Sequence, residues 1–92
     1  MAFGDTFKAL SDPTRREILV LLRHERLSAG EIGAHFDMTG ASISRHLSIL
    51  KAAGLIDDEK VGKYIYYTLN TTVMDDILNW ILLLKGDTEG EK

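Results

Sequence analysis

The apolar residues of this chain change period at Gly54. Before it they recur every three or four positions, as on one face of a helix. After it they alternate, as in a strand with one buried side. A fold that satisfies both halves must set a group of short helices against a hairpin. Phe3, Phe7 and Leu10 predict a first amphipathic helix over 2–10. Ser11-Asp12-Pro13 ends it. Asp12 caps a second helix, with Pro13 at its first position, where no N–H is needed. That helix reaches about Arg23, and its wide stripe of Ile18, Leu19, Leu21 and Leu22 places it centrally in the core. After a connection over 24–27, Ser28 and Glu31 have capping-box spacing and open a third helix over 29–36, with Ile32 and Phe36 inward.

Residues 37–39 make a tight turn, and Thr39 or Gly40 starts a fourth helix that ends at Ala53. Gly54 supplies the left-handed position that closes it. Strands are predicted over 55–60 and 63–69, turning at Val61-Gly62, with Ile65, Tyr67 and Leu69 toward the core. Asn70-Thr71-Thr72 caps a last helix over 73–85. The order α-α-α-α-β-β-α is mainly α with a two-stranded β-wing, which describes a winged helix-turn-helix. Residues 1–85 read as one DNA-binding and dimerisation domain, and 86–92 as a flexible acidic tail.

Composition removes several functions. The chain has no cysteine, so disulfides, thiolate metal sites and thiol redox sensing are out. No apolar run approaches the roughly 20 residues of a membrane span, and no secretory h-region is visible. No membrane insertion is expected, and the implied setting is the cytoplasm, associated with the nucleoid. Hydrolase elbows, phosphate loops and zinc-protease motifs are missing, so no catalytic residues are assigned. His24, His35 and His46 lie on separate elements without metal-ligand spacing, so no metal and no cofactor is expected. Asp75-Asp76 is read as favourable charge at the start of the last helix.

The net charge of −3 argues weakly against a nucleic-acid partner. The excess is local, however. Residues 64–92 hold Asp75, Asp76, Asp87, Glu89 and Glu91 against Lys85 and Lys92, while no acid lies between Met38 and Ile56. Around the fourth helix, at about 100° per residue from Ile43, the inner residues Ile43, Leu47 and Leu50 cluster within about 40°. Ser44 falls near about 100°, Ser48 near about 140°, Ala41 near about 160° and Arg45 near about 200°. One face is greasy, and the other is small and hydroxyl-rich with one arginine. Small residues let the backbone approach a major-groove floor. Serines can bond to base edges, alanine can touch a thymine methyl, and Arg45 can bridge the two acceptors of guanine. The N–H groups of Thr39, Gly40, Ala41 and Ser42 suit a phosphate, and Lys51 adds charge.

A Ser- and Ala-rich face is also what an ordinary solvated helix shows. The acid-free stretch and the hairpin that follows favour DNA. Lys60 and Lys63 at the hairpin tip either reach phosphates or are simply solvated. Asp57, Asp58 and Glu59 would repel a duplex unless the strand turns them away. His46, at about 300°, either touches DNA or packs with a ring nitrogen bonded inside the domain, and packing is favoured.

The last helix carries apolar residues almost all round, which requires burial on more than one side. With the first helix it predicts a two-fold homodimer through Phe3, Phe7, Met74, Ile77, Trp80, Ile81 and Leu84. A chain of 92 residues is too short to bury all of that helix itself.

The combination of Ser11-Asp12-Pro13-Thr14-Arg15-Arg16, of Ser42-Ile43-Ser44-Arg45-His46-Leu47 with Leu50-Lys51 and Ala53-Gly54-Leu55-Ile56, and of Gly62-Lys63-Tyr64-Ile65-Tyr66-Tyr67 resembles the ArsR family of dimeric bacterial winged-helix repressors. The likeness is strongest to its SdpR-type autorepressor branch. It implies repression of an operon that includes the repressor's own gene, with Ser42, Ser44, Arg45 and His46 at DNA-reading positions. Metal sensors of the family use cysteines, or Asp and His on the last helix, and this chain has no cysteine and no histidine after His46. The acidic 57–59 segment departs from the family's basic wing. The reading is a dimeric repressor on double-stranded operator DNA at an imperfect inverted repeat, answering to an unidentified inducer or regulatory protein. The alternative is a protein-interaction module with this fold and little DNA binding.

Overall fold

Asp12 starts the second helix as the proline after it requires. Its carboxylate accepts hydrogen bonds from the backbone N–H groups of Thr14 at 2.7 Å and Arg15 at 3.2 Å. The computed structural model describes residues 3–86. Its elements run α1 (Gly4–Leu10), α2 (Pro13–Leu21), β1 (Leu27–Ser28), α3 (Ala29–Gly33), α4 (Gly40–Ala52), β2 (Ile56–Val61), β3 (Tyr64–Leu69) and α5 (Thr72–Lys85). Gly86 takes a left-handed conformation that closes α5, and residues 87–92 of the expected tail lie outside the described residues.

Ile18 and Leu22 of the second helical segment meet Ile32 of α3, Ile43, Leu47 and Leu50 of α4, and Leu55 and Ile56 after it, in one buried cluster. The helix-turn-helix pair is fixed by its caps. Ser28 accepts from the Glu31 amide while Glu31 accepts from the Ser28 amide, and Thr39 accepts from the Ser42 amide. α3 is shorter than its apolar spacing suggests. His35 and Phe36 bond back to Ile32 and Gly33, a tighter turn than the α-helical one, so the chain leaves the helix at Gly33 and still delivers a half-buried Phe36 to the core.

The wing is the expected antiparallel hairpin, and the turn lies one position later than expected. Val61 pairs with Tyr64, leaving Gly62 and Lys63 as the two-residue turn. Gly62 has φ 63°, and among the described residues no non-glycine residue has positive φ, so a glycine is required at the first turn position. The sheet has a third strand where the sequence reading had the end of a connection at Leu27 and the helix-opening Ser28. Leu27 pairs with Tyr67 and Ser28 with Tyr66, giving the order β1-β3-β2. Two residues carry no readable period, yet they cover the free edge of β3. Ile65 was expected in the core and is 45% exposed. It shares a face with Tyr67 and Leu69, but that face has outrun the core by the hairpin tip, and only Tyr67 and Leu69 pack on the cluster.

The end of α4 combines two requirements at one residue. The Gly54 amide bonds to the Lys51 carbonyl at 3.0 Å and the Leu55 amide to the Leu50 carbonyl at 3.0 Å, with Gly54 at φ 78°. A Cβ there would stand 3.1 Å from Val73 Cγ2. Gly54→Ala should therefore lower stability by about 1–3 kcal/mol, read as a smaller urea midpoint. Adding Val73→Ala should recover the steric part and leave the backbone part. Equal stability of Gly54→Ala and the parent protein would refute this account of the junction.

Candidate nucleic-acid interface

Because Ile43, Leu47 and Leu50 are all within 2% of full burial, the opposite side of α4 is held outward. Gly40, Ala41, Ser44, Arg45 and Ser48 are all exposed there. No acid of α4 competes with them. Arg45 makes no hydrogen bond or ion pair among the described residues. The face offers small residues, two free hydroxyls and one guanidinium.

Other expected contact residues are already engaged. The Thr39 hydroxyl accepts from the Ser42 amide and donates to Ser42 Oγ, so this pair serves first to start the helix. Lys51, expected to add positive charge to the interface, instead bonds Asp58 at 2.9 Å. That bond and the Asp58 charge raise the Lys51 ammonium above its ordinary value. Lys60 and Lys63 remain exposed on the wing, with Lys63 Nζ 5.8 Å from the centre of the Tyr64 ring.

Each acid of the wing has a partner. Asp57 accepts from Asn70 Nδ2 at 3.0 Å, Asp58 from Lys51, and Glu59 from Arg26 at 3.5 Å. Arg26 also lies 4.7 Å from the centre of the Tyr66 ring. The exposed pairs add little stability, but they cut the negative potential that the acidic run would otherwise present.

His46 is half-buried, and Arg15 Nη1 lies 3.2 Å from its Nδ1. Guanidinium is only a donor, so in the neutral ring this contact uses Nδ1 as the acceptor. This favours the packed reading of His46. The same Arg15 donates from Nε to the Ala9 carbonyl at 2.7 Å and from Nη2 to the Lys8 carbonyl at 3.2 Å, and Arg16 donates to the Leu10 carbonyl at 2.7 Å. Two arginines of the α2 first turn thus cap the C-terminus of α1, and one of them reaches α4. Sequence reasoning missed this junction, although a signal was present. Cations at the start of a helix oppose its dipole, so they need acceptors elsewhere.

A second surface lies at the chain ends. Phe3, Phe7 and Trp80 form a ring cluster with centres 5.8–5.9 Å apart. Along one stripe of α5, Ile77 is 8% exposed, Ile81 41% and Leu84 66%. The helix starts against its own domain and then leaves it. Ile77, expected at a dimer contact, is covered by its own chain, and Met74 is half-buried against the core cluster. Leu78 and Leu83, which were not singled out, are more than half exposed.

Residues 12–58 match the profile described as bacterial regulatory protein, arsR family. The chain belongs to the ArsR family. It is 52% identical over 88 residues to the transcriptional repressor SdpR of Bacillus subtilis, covering 94% of this chain and 98% of that protein. It is 38% identical over 65 residues to the arsenical resistance operon repressor of Escherichia coli, covering 70% of this chain and 56% of that one. An ArsR-like transcriptional regulator from Rhodococcus superposes with a TM-score of 0.81 at 30% identity, over 90% of this chain and 78% of the other. The ArsR family member described here is therefore a winged helix-turn-helix transcriptional repressor that binds DNA, and not an enzyme.

The α2 cap gives a pH test of the junction. Partial desolvation alone would raise the Asp12 carboxyl, but bonds from the Arg15 and Thr14 amides, with the His46 and Arg15 charges, hold it below the ordinary carboxylate range. A carboxyl depressed in the folded state stabilises it above the unfolded pKa and loses that effect as pH falls through the folded one. Asp12→Asn, which keeps an acceptor, should be less stable than the parent at pH 7 and converge with it in acid. A stability gap that persists or widens in acid would refute the electrostatic part of the cap.

Proposed function

We propose that this ArsR family repressor works as a homodimer on an imperfect inverted repeat, is not regulated by a metal, and controls its own operon. The observation that carries the reading is the outward face of α4, where Ala41, Ser44, Arg45 and Ser48 stay uncovered beside a wing whose acids are paired. Arg45 contacts guanine, the two serines contact base edges, and the Gly40 and Ala41 amides meet phosphate. Lys60 and Lys63 reach the flanking backbone. Residues 1–85 supply both binding and dimerisation.

Dimerisation is supported by Phe3, Phe7, Trp80, Ile81 and Leu84, joined by Leu78 and Leu83. All but the partly buried Phe3 are exposed, so large apolar side chains gather on the surface of α1 and α5, as they do at interaction sites. A dyad would place two copies of α4 about 34 Å apart, on successive major grooves of one side of the duplex. The absence of cysteine, and of histidine after His46, supports regulation without a metal. An inducer or a regulatory protein that alters the dimer angle would release the DNA. The setting that follows is the cytoplasm, at the nucleoid. The paired acids of the wing weaken the case for a protein-interaction module.

Footprinting upstream of the protein's own gene should show one protected inverted repeat. Arg45→Ala should abolish that protection while the molecule still sediments as a dimer, and unchanged operator affinity would sink the assignment. The parent should neutralise roughly 6–8 phosphates per dimer, so log affinity should fall steeply and linearly with log salt. Leu84→Glu should weaken the dimer at least about tenfold, since a charge would be buried without a partner. Sedimentation at graded concentrations reads that shift, and a variant that dimerises like the parent would place the interface elsewhere.

A further inference from the structure

A cleft of about 360 Å³ opens between α1, α2 and α4, lined by Lys8, Asp12, Arg15, Ser42, Arg45 and His46. A neighbouring hollow continues it past Lys8, Arg15 and Arg45 toward Asp5 and Ala53. Three cationic side chains thus converge from three helices. Of the two acids beside them, Asp12 is bound by the Thr14 and Arg15 amides, and Asp5 lines the neighbouring hollow rather than the cleft. Neither Lys8 nor Arg45 has an acidic partner among the described residues. Arg15 uses Nε, one N–H of Nη1 and one of Nη2 inside the domain, and a guanidinium carries five N–H donors, so each Nη keeps one.

The position of the cleft on α4 indicates its occupant. On the helical wheel the outward face is centred near about 150°, between Ser44 and Arg45. The wing is tied to one flank through Lys51, at about 80°, and the cleft opens on the other, where Ser42 lies near about 260° and His46 near about 300°. A helix lying in a major groove has a phosphodiester strand on each side, because the groove is only about 12 Å wide. One strand runs beside Lys60 and Lys63, and the other runs past the cleft.

We propose that the cleft between α1, α2 and α4 seats a backbone phosphate of DNA, held by Lys8 and Arg15 next to Arg45. This rests on the assignment of α4 as the reading helix and adds a contact from α1 and α2 that carries no sequence information. Through it, DNA also engages the helix that bears Phe3 and Phe7, so duplex binding and the dimer-forming end share one rigid junction.

The test is a salt titration with a mixed-sequence duplex of about 30 base pairs. Lys8 is exposed, so Lys8→Gln should fold with an unchanged melting temperature. It should reduce the slope of log affinity against log salt by about 0.9 per bound chain, and leave base preference in a randomised-site selection unchanged. Arg23→Gln makes the same charge change outside the cleft and should leave the slope alone. An unaltered slope for Lys8→Gln, or an equal loss for Arg23→Gln, overturns the phosphate seat while the reading helix stands. Failure of the parent protein to bind any duplex overturns the reading itself. Pyrophosphate at millimolar concentration should not saturate the cleft in calorimetry. A saturable isotherm that Lys8→Gln abolishes would make this a small-anion site and overturn the assignment to DNA.

Discussion

One helix belongs to two surfaces, and the fold is arranged around that fact. Ile43, Leu47 and Leu50 bury one stripe of α4 against Ile18 and Ile32, and this burial supplies much of the core that so short a chain can build. Each such side chain contributes about 1.5–3 kcal/mol when removed from water. The inner stripe therefore cannot rotate outward without a large loss. The same constraint holds Ser44, Arg45 and Ser48 in solvent with little freedom to turn away. The outward face is thus fixed in advance, and less ordering cost would fall on binding at it.

Electrostatics act on a smaller scale than the net charge suggests. A protein of net charge −3 can present a surface that attracts phosphate if its acids are paired or remote. Both conditions hold around the wing and the α2 cap, while Asp5 stays beside the α1–α4 hollow. The wing acids Asp57, Asp58 and Glu59 are bonded to Asn70, Lys51 and Arg26, and Asp12 is bound up in a helix cap. Lys51 is partly withdrawn from the interface in exchange. What remains positive is the outer edge of α4, the wing tip, and the α1–α2 junction.

Much of this was legible in the residues. The period change at Gly54, the Asp12-Pro13 start, the Ser28–Glu31 box and the Gly62 turn each encode local structure through a few neighbouring positions, and all appear in the fold. Features that depend on distant residues were not legible. β1 is two residues long and exists because β3 has an open edge. Ile65 follows the strand period but lies beyond the reach of the core. The Lys51–Asp58 pair and the Arg15–His46 contact join positions whose closeness only packing creates. The outward face of α4 was readable from helical geometry alone, whereas the cleft beside it was not, because three helices contribute to it.

The α1–α2 junction shows why a domain of this size can couple its ends. Arg15 binds two carbonyls of α1 and the ring of His46 on α4, and Arg16 binds a third carbonyl of α1. α1 carries Phe3 and Phe7, which sit against Trp80 of α5. A displacement of the aromatic cluster must therefore either carry α4 with it or break charge-assisted bonds, each worth about 1.5–3 kcal/mol. Those bonds are directional, so the junction transmits orientation better than a greasy contact of equal strength, which can slide. The junction therefore makes the apolar end and α4 one mechanical unit, which a larger core alone would not do.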